Sequence, residues 1–227
     1  MKRATSIEVL LRKTREDFAN LKQAYESSLH EQIVRENLKI EIKHIFEDLR
    51  SCLDYLAQEL HEAFCKGANK PRLLYFPIRQ TATEFAKVIG QDFPGLEASC
   101  KPVFEIIESL QPFRDPWLGQ FNALNNKNKH QDLVEQSRTE SRRVTVTRPG
   151  GGTVSWGPGV TFSGDVKVMG VPIDPATQLP VPNSVATTKV TTWVDFRFRD
   201  GGQSVLPFIA SSIERVETTY RAIAKYC

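Results

Sequence analysis

The first part of the chain carries two long apolar stripes whose spacing fits α-helices. In residues 5–29, apolar side chains recur every three or four positions, and Ser6 is a suitable N-cap. A second stripe crosses residues 32–66 and ends at Gly67, a residue type that often ends helices. Two amphipathic helices of this length need partners for their apolar faces. The chain is therefore predicted to begin as an antiparallel helical bundle.

Proline residues divide the next part of the chain into shorter segments, because proline removes the amide donor that a helix needs to continue. We predict a loop over 67–80 and helices over 81–90, 99–110 and 117–136.

The periodicity changes near residue 141, where alternation with period two replaces the helical spacing. The predicted strands cover 143–147, 153–156, 160–162, 166–171, 188–199 and 204–206, with a loop over 172–183 and a closing helix over 207–226. The predicted fold class is α+β. An antiparallel helical bundle over 1–140 would be followed, over 141–227, by a small antiparallel β-sheet and a C-terminal helix.

Composition narrows the classes of function. The chain of 227 residues has 40% hydrophobic residues but no apolar run of about 20 residues, the length of a membrane span. It begins without a signal-peptide pattern, so we expect a cytoplasmic protein. A net charge of +3 is too weak for a duplex-DNA-binding protein. The four cysteines form no Cys-x-x-Cys pair, and we expect neither a metal nor another cofactor.

The second predicted helix carries three polar residues on one face. Arg50, Asp54 and His61 stand at positions i, i+4 and i+11. One interpretation is an ordinary surface ion pair with a surface histidine. The other is that Arg50 faces a groove and binds phosphate, held in place by Asp54, because a guanidinium donates two parallel hydrogen bonds and stays charged.

A polar run ending at His130 holds three Asn, two Lys and one His in six consecutive positions. On a helix, Asn126, Lys129, His130 and Leu133 would share one side. Imidazole can exchange a proton with a ribose hydroxyl near neutral pH, and ammonium groups stabilise phosphate charge. The alternative is a solvated helix end, with Asn as caps and Lys complementing the helix dipole.

Four ordered segments together resemble a known group of proteins. They are LRSCLDYLA at 49–57, FPI at 76–78, IESLQPF at 107–113 and LNNKNKHQDL at 124–133. This set, over roughly residues 40–135, resembles a HEPN-like family of mostly uncharacterised bacterial proteins. The resemblance implies a helical bundle that often dimerises. The wider class includes metal-independent ribonucleases of toxin and defence systems, and also inactive RNA-binding or scaffold relatives.

The family's active-site pattern is an Arg followed after four to six residues by a His. Arg50 matches the Arg, whereas Tyr55 stands where the group often has His. We predict that His130 supplies the imidazole from a neighbouring helix and lines a common cleft with Arg50.

The resemblance and the polar residues together predict an RNA-binding or ribonuclease-like protein of a bacterial stress or defence system, acting without a metal. The alternative is a non-catalytic dimeric scaffold. RNA and a second copy of the chain are the expected partners. We assign catalysis to Arg50 and His130, and contacts with phosphate or RNA to Asn126, Lys127, Lys129, Asp54 and Tyr55.

Overall fold

A computed structural model describes residues 1–27, 36–130, 136–157, 159–199 and 201–227 of the chain. Within these ranges, side chains are described at all positions except 26, 27, 36, 129, 130, 138–141 and 191–194.

The structure is a mixed α+β protein, as predicted. Its helices are α1 (Ala4–Ser27), α2 (Glu36–Phe64), α3 (Ala82–Asp92), α4 (Leu96–Ser99), α5 (Lys101–Ser109), α6 (Trp117–His130) and α7 (Val205–Ala224). Its strands are β1 (Gln136–Arg148), β2 (Gly152–Trp156), β3 (Lys167–Val168), β4 (Val171–Asp174), β5 (Leu179–Pro180) and β6 (Thr187–Phe198). None of the helices in the described ranges combines the length and apolar character needed to cross a bilayer.

The chain divides into two compact units. A helical unit contains residues 1–137 and 197–227, and a sheet unit contains 138–196. The closing helix α7 therefore groups with the bundle, whereas the predicted boundary placed it with the sheet. The reason is its apolar stripe, which includes the buried residues Ile209 and Val216 and packs against α1, α2 and α5.

Phe46 lies at the centre of the helical unit and is fully buried. Its ring centroid is 5.5 Å from that of Phe121 in α6. The rings of Phe198 and Phe208 lie 6.0 Å and 6.2 Å away. Aromatic pairs at these distances stabilise a core beyond the area they bury. This cluster joins α2 to α6 and α7, so α2 is the helix around which the unit is built.

The sheet unit contains two three-stranded sheets, with strand orders β2-β1-β6 and β3-β4-β5. β1 and β2 are antiparallel, with Val144 opposite Trp156. The sheet unit has its own small core. Side chains at positions i and i+2 of a strand point to the same face, so alternate residues of these strands are buried together. The buried core residues are Val144, Val146, Trp156, Val171 and Ile173.

Five local predictions are wrong. The predicted strand over 166–171 is divided by a turn at Met169 and Gly170 into β3 and the start of β4, which pair with each other. The segment 160–162 is not a strand, because the side chain of Gln178 bonds both backbone groups of Phe162. The predicted loop over 172–183 contains most of β4 and all of β5. The predicted strand at 204–206 is the start of α7, and the predicted helix over 117–136 overruns the start of β1.

Candidate functional site

An extended segment, residues 74–79, is held against α2 by side chains of that helix. The Asp54 carboxylate accepts the backbone N–H of Phe76 at 2.9 Å, and Gln58 donates to the carbonyl of Leu74 at 2.9 Å. The Arg50 guanidinium binds Asp54 at 3.0 and 3.1 Å and donates to the carbonyl of Phe76 at 3.4 Å. The Arg50–Asp54 pair expected from the sequence therefore holds this segment against α2.

Gln111 holds the other side of the same segment. It is fully buried, and its Nε2 donates to the carbonyls of Pro77 at 2.9 Å and Ile107 at 3.0 Å. Its Oε1 accepts the backbone N–H of Arg79 at 3.0 Å. The motifs LRSCLDYLA, FPI and IESLQPF thus meet at one place. Together they determine where the backbone of Arg79 lies.

Residues 75–79 form one wall of a cleft of about 390 Å³, which we call the α2–α6 cleft. It is lined by Arg50, Asp54, Leu73, Tyr75, Phe76, Pro77, Ile78, Arg79, Val88, Asp92, Asn122, Asn125 and Asn126. Helix α6 contributes three of these, Asn122, Asn125 and Asn126, because positions i, i+3 and i+4 share one face of a helix. The volume lies within the range of about 300–1,000 Å³ typical of ligand sites.

The two arginines of the cleft differ in their bonding. Arg50 donates to Asp54, to the Phe76 carbonyl and to Oδ1 of Asn122 at 3.2 Å, so most of its donors are occupied. Arg79 donates one bond, from Nη1 to the carbonyl of Ile78 at 2.8 Å. Among the side chains that the structure describes, no carboxylate lies within ion-pair distance of Arg79. Arg79 is therefore the cation of this cleft that can receive an anion.

Two acceptors of the cleft also lack donors. Asn125 is 1% exposed, and its Oδ1 has no hydrogen-bond partner in the part of the chain that the structure describes. A buried polar atom without a partner costs about 1–3 kcal/mol. Asp92, half-buried at the last position of α3, likewise makes no hydrogen bond to a described residue. The half-buried Asp92 carboxylate can therefore accept from a bound molecule, whereas the Oδ1 of Asn125 is closed to solvent.

Apolar and aromatic groups extend from the cleft to a neighbouring depression. Tyr75 is 54% exposed and Leu73 is 69% exposed, and both line the cleft and the depression. Asp54 lines both as well, while Tyr55 and Arg72 line the depression alone. This surface combines exposed rings with cationic and amide groups.

The predicted site residues fall into four sets. Arg50, Asp54 and Asn126 line the cleft, while Tyr55 lines the adjoining depression. Lys127 lies on α6 but does not line the cleft. The remaining two, Lys129 and His130, have side chains outside the described residues, so the shared cleft of Arg50 and His130 stays a prediction.

His61 is buried, which corrects the surface position considered from the sequence. Its Nε2 has no partner among the described residues. Burial, followed by the nearby charge of Lys70, lowers the pKa of His61. The histidine is therefore a core residue that does not line the cleft, although the charge of Asp92, which does line it, partly opposes the lowering of the pKa.

The cysteines are also away from the cleft. Burial raises the pKa of Cys52 to about 12 and also raises the pKa of the Cys65 thiol. Such thiols are poor nucleophiles and poor metal ligands at neutral pH. Within the described ranges, no group of three or more His, Cys, Asp or Glu side chains is arranged to hold a metal ion.

Sequence reasoning missed four residues that matter in this cleft, namely Arg79, Asp92, Asn122 and Tyr75, and it missed the burial of Asn125. Arg79 follows the FPI motif directly, and this position was its one available signal. Comparison with protein-family models, curated proteins and solved structures found no match to the chain.

Proposed function

We propose that the α2–α6 cleft binds single-stranded RNA and that the chain is an RNA-binding protein of the HEPN-like kind. The observation that carries this proposal is an arginine with no carboxylate partner among the described side chains, Arg79, in the same cleft as the exposed amide of Asn126. A cation for phosphate and polar groups for a base are the two elements that RNA recognition combines.

Arg79 is the proposed phosphate ligand. A guanidinium fork donates two parallel hydrogen bonds to phosphate oxygens, and the free donors of Arg79 are available for this purpose. Arg50 acts as a positioning residue, because its bonds to Asp54 and Phe76 hold the segment that carries Arg79. The small net charge of +3 agrees with a local contact of this kind.

Tyr75 is the proposed stacking platform. Its ring is 54% exposed beside the cleft, and unpaired bases stack on such rings whatever their identity. A duplex hides the faces of its bases, so this contact favours single strands. The exposed amide of Asn126 at the cleft offers both a donor and an acceptor to the ribose or phosphate.

The test is fluorescence anisotropy with a short labelled single-stranded RNA. We expect Arg79→Gln to weaken binding about 10- to 100-fold, the effect of losing charge-assisted hydrogen bonds of about 1.5–3 kcal/mol. The slope of log K against log salt should also fall by about 0.7, the value for one phosphate contact of a single strand. Arg12→Gln is the matched control, since Arg12 is exposed on α1.

No binding by the unsubstituted protein would overturn the proposal. Equal affinities of Arg79→Gln and Arg12→Gln would also overturn it, because the bound RNA would then lie elsewhere. A DNA strand of the same sequence and a duplex RNA measure the preference for single-stranded RNA.

Cleavage of the bound strand is an extension of the same proposal, in which His130 is the acid/base and Arg50, predicted as catalytic from the sequence, acts by positioning the segment that carries Arg79. Such cleavage should persist with a chelator and fall by about 10² or more in His130→Ala. His44→Ala on α2 is the control. Binding without cleavage, lost in Arg79→Gln, would identify a non-catalytic RNA-binding protein of a bacterial stress or defence system.

A non-catalytic homodimeric scaffold is the second candidate. It is favoured by Leu73, which is 69% exposed beside Tyr55 in the depression next to the cleft, and by the structural use of Arg50. Light scattering should then give about twice the chain mass of 25.7 kDa. Leu73→Ser should return the mass to that of a monomer, while Val9→Ser, at a site 44% exposed on α1, should not. A monomeric mass for the unsubstituted protein would rule this candidate out.

A further inference from the structure

The depression next to the α2–α6 cleft is large enough to bind part of a ligand by itself. Its volume is about 410 Å³, close to the 390 Å³ of the cleft. Three residues, Asp54, Leu73 and Tyr75, line both recesses. The two recesses therefore adjoin, and an extended ligand that fills the cleft can continue into the depression.

The depression contains a second arginine without a carboxylate partner. Arg72 is exposed, and its side chain makes no hydrogen bond or ion pair with any described residue. The other arginine of the depression, Arg3, binds Glu59 at 2.8 Å, and the Asp54 carboxylate binds Arg50 at 3.0 Å. The charged neighbours of Arg72 in this recess are therefore already paired. Arg72 remains as a cation for an anionic ligand.

Exposed rings accompany this cation. Tyr55 of α2 is 37% exposed and lines the depression, while Tyr75 is 54% exposed and lines both recesses. Leu73, 69% exposed, adds further apolar surface. Apolar groups gathered in one recess mark a binding surface. Aromatic rings next to a cation fit a nucleotide strand, whose bases stack on rings while its phosphates bind arginine.

We propose that the depression binds a second nucleotide of the RNA strand, with Tyr55 as its stacking ring and Arg72 as its phosphate ligand. This inference rests on the proposed function. Arg72 and Arg79 are seven positions apart, so their Cα atoms are separated by at most about 25 Å. A stacked strand rises about 3.4 Å per nucleotide, so about eight nucleotides reach from one arginine to the other. The ligand class is therefore an oligonucleotide, not a mononucleotide.

The experiment is fluorescence anisotropy with labelled octauridine at several salt concentrations. Arg72→Gln should weaken binding about tenfold or more, the effect of losing charge-assisted hydrogen bonds to one phosphate. The slope of log K against log salt should fall by about 0.7 in this variant and by about 1.4 in Arg72→Gln/Arg79→Gln, because the two arginines contact different phosphates. Arg12→Gln, at an exposed position of α1, is the control and should change neither quantity.

Stacking is tested separately at Tyr55. Tyr55→Ala should weaken octauridine binding at least about fivefold, whereas Tyr55→Phe keeps the ring and should retain the affinity. Unlabelled UMP should displace octauridine at least about tenfold less effectively than unlabelled octauridine does, because UMP cannot fill both recesses. The urea midpoint of unfolding shows that each variant is folded.

Three results would overturn the inference. Binding that is weakened by Arg79→Gln but not by Arg72→Gln or Tyr55→Ala would reject the second subsite and leave the proposed function standing. No binding of octauridine by the unsubstituted protein would reject both. A mass of about twice 25.7 kDa that Tyr55→Ala returns to one chain, with unchanged RNA affinity, would make the depression a contact between copies of the chain.

Discussion

The carboxylate of Asp54 accepts the backbone N–H of Phe76 at 2.9 Å, and this bond fixes a wall of the α2–α6 cleft to helix α2. The same carboxylate binds Arg50 at 3.0 Å, and both side chains are largely removed from water. We predict that Asp54→Ala lowers the free energy of unfolding by about 1.5–3 kcal/mol, the usual contribution of hydrogen bonds to a charged group. Urea denaturation followed by circular dichroism measures this change.

Asp92→Ala is the matched control for Asp54→Ala, since both carboxylates line the same cleft. Because Asp92 sits at the C-terminal end of α3, its removal should leave stability unchanged or raise it by about 0.3–1 kcal/mol. A loss of stability as large as that of Asp54→Ala would contradict the unfavourable placement of Asp92.

Substitution of the buried Gln111 side chain is expected to lower the stability of the protein strongly. Gln111→Leu would leave the carbonyl of Pro77 and the N–H of Arg79 without their present partner. Each buried group left unpaired costs about 1–3 kcal/mol, so this variant should be severely destabilised. The exposed Gln120→Leu on α6 should change stability by no more than about 0.5 kcal/mol. Similar thermal midpoints for the two variants would refute this role.

Two helical glycines provide a paired prediction. An alanine Cβ at Gly90 of α3 would meet no atom within 4 Å, so Gly90→Ala should stabilise the protein by about 0.5–1 kcal/mol. At Gly119 of α6 the Cβ would lie 3.1 Å and 3.2 Å from ring carbons of Pro112. Gly119→Ala should therefore lose this gain and be less stable than Gly90→Ala. Thermal unfolding of both variants decides the order.

His61 should make stability depend on pH. Its pKa is lowered in the folded protein, first by burial, so the unfolded chain takes up a proton at higher pH than the folded chain. Stability should consequently fall as the pH drops from about 7 through the ordinary histidine pKa of about 6.5 toward about 5. His61→Phe should remove part of this loss, whereas His44→Phe, at an exposed position of α2, should not. Parallel urea curves at these pH values measure the difference.

The long helices were predictable because their apolar stripes extend over many turns. The stripe over 32–66 corresponds to α2 at Glu36–Phe64. The start of β1 was not predictable, since its first residues are polar and lack alternation, so pairing with other strands decides their conformation. The run 204–206 is too short to distinguish a helix from a strand, and Pro207 is tolerated in the first turn of α7.

The cleft was predictable only in part. Arg50, Asp54 and Asn126 could be named because they stand on long helices next to apolar stripes. Arg79 could not, because its position depends on Gln111, a residue 32 positions away in the sequence. Asp92 could not be named either, because the sequence does not distinguish it from any other acidic residue near the end of a helix. Only the structure shows that it lines the cleft.

Helix α7 packs in the helical unit although it is synthesised last, and this order affects folding during translation. Residues 138–196 must be translated before α7 leaves the ribosome, although α7 belongs to the same unit as α1 and α2. At a synthesis rate of about 5–20 residues per second, the apolar surfaces of the bundle that α7 covers stay exposed in the nascent chain for several seconds. A holdase chaperone that binds exposed apolar surface is therefore expected to associate with chains that end before Val205 and to release them once α7 is complete.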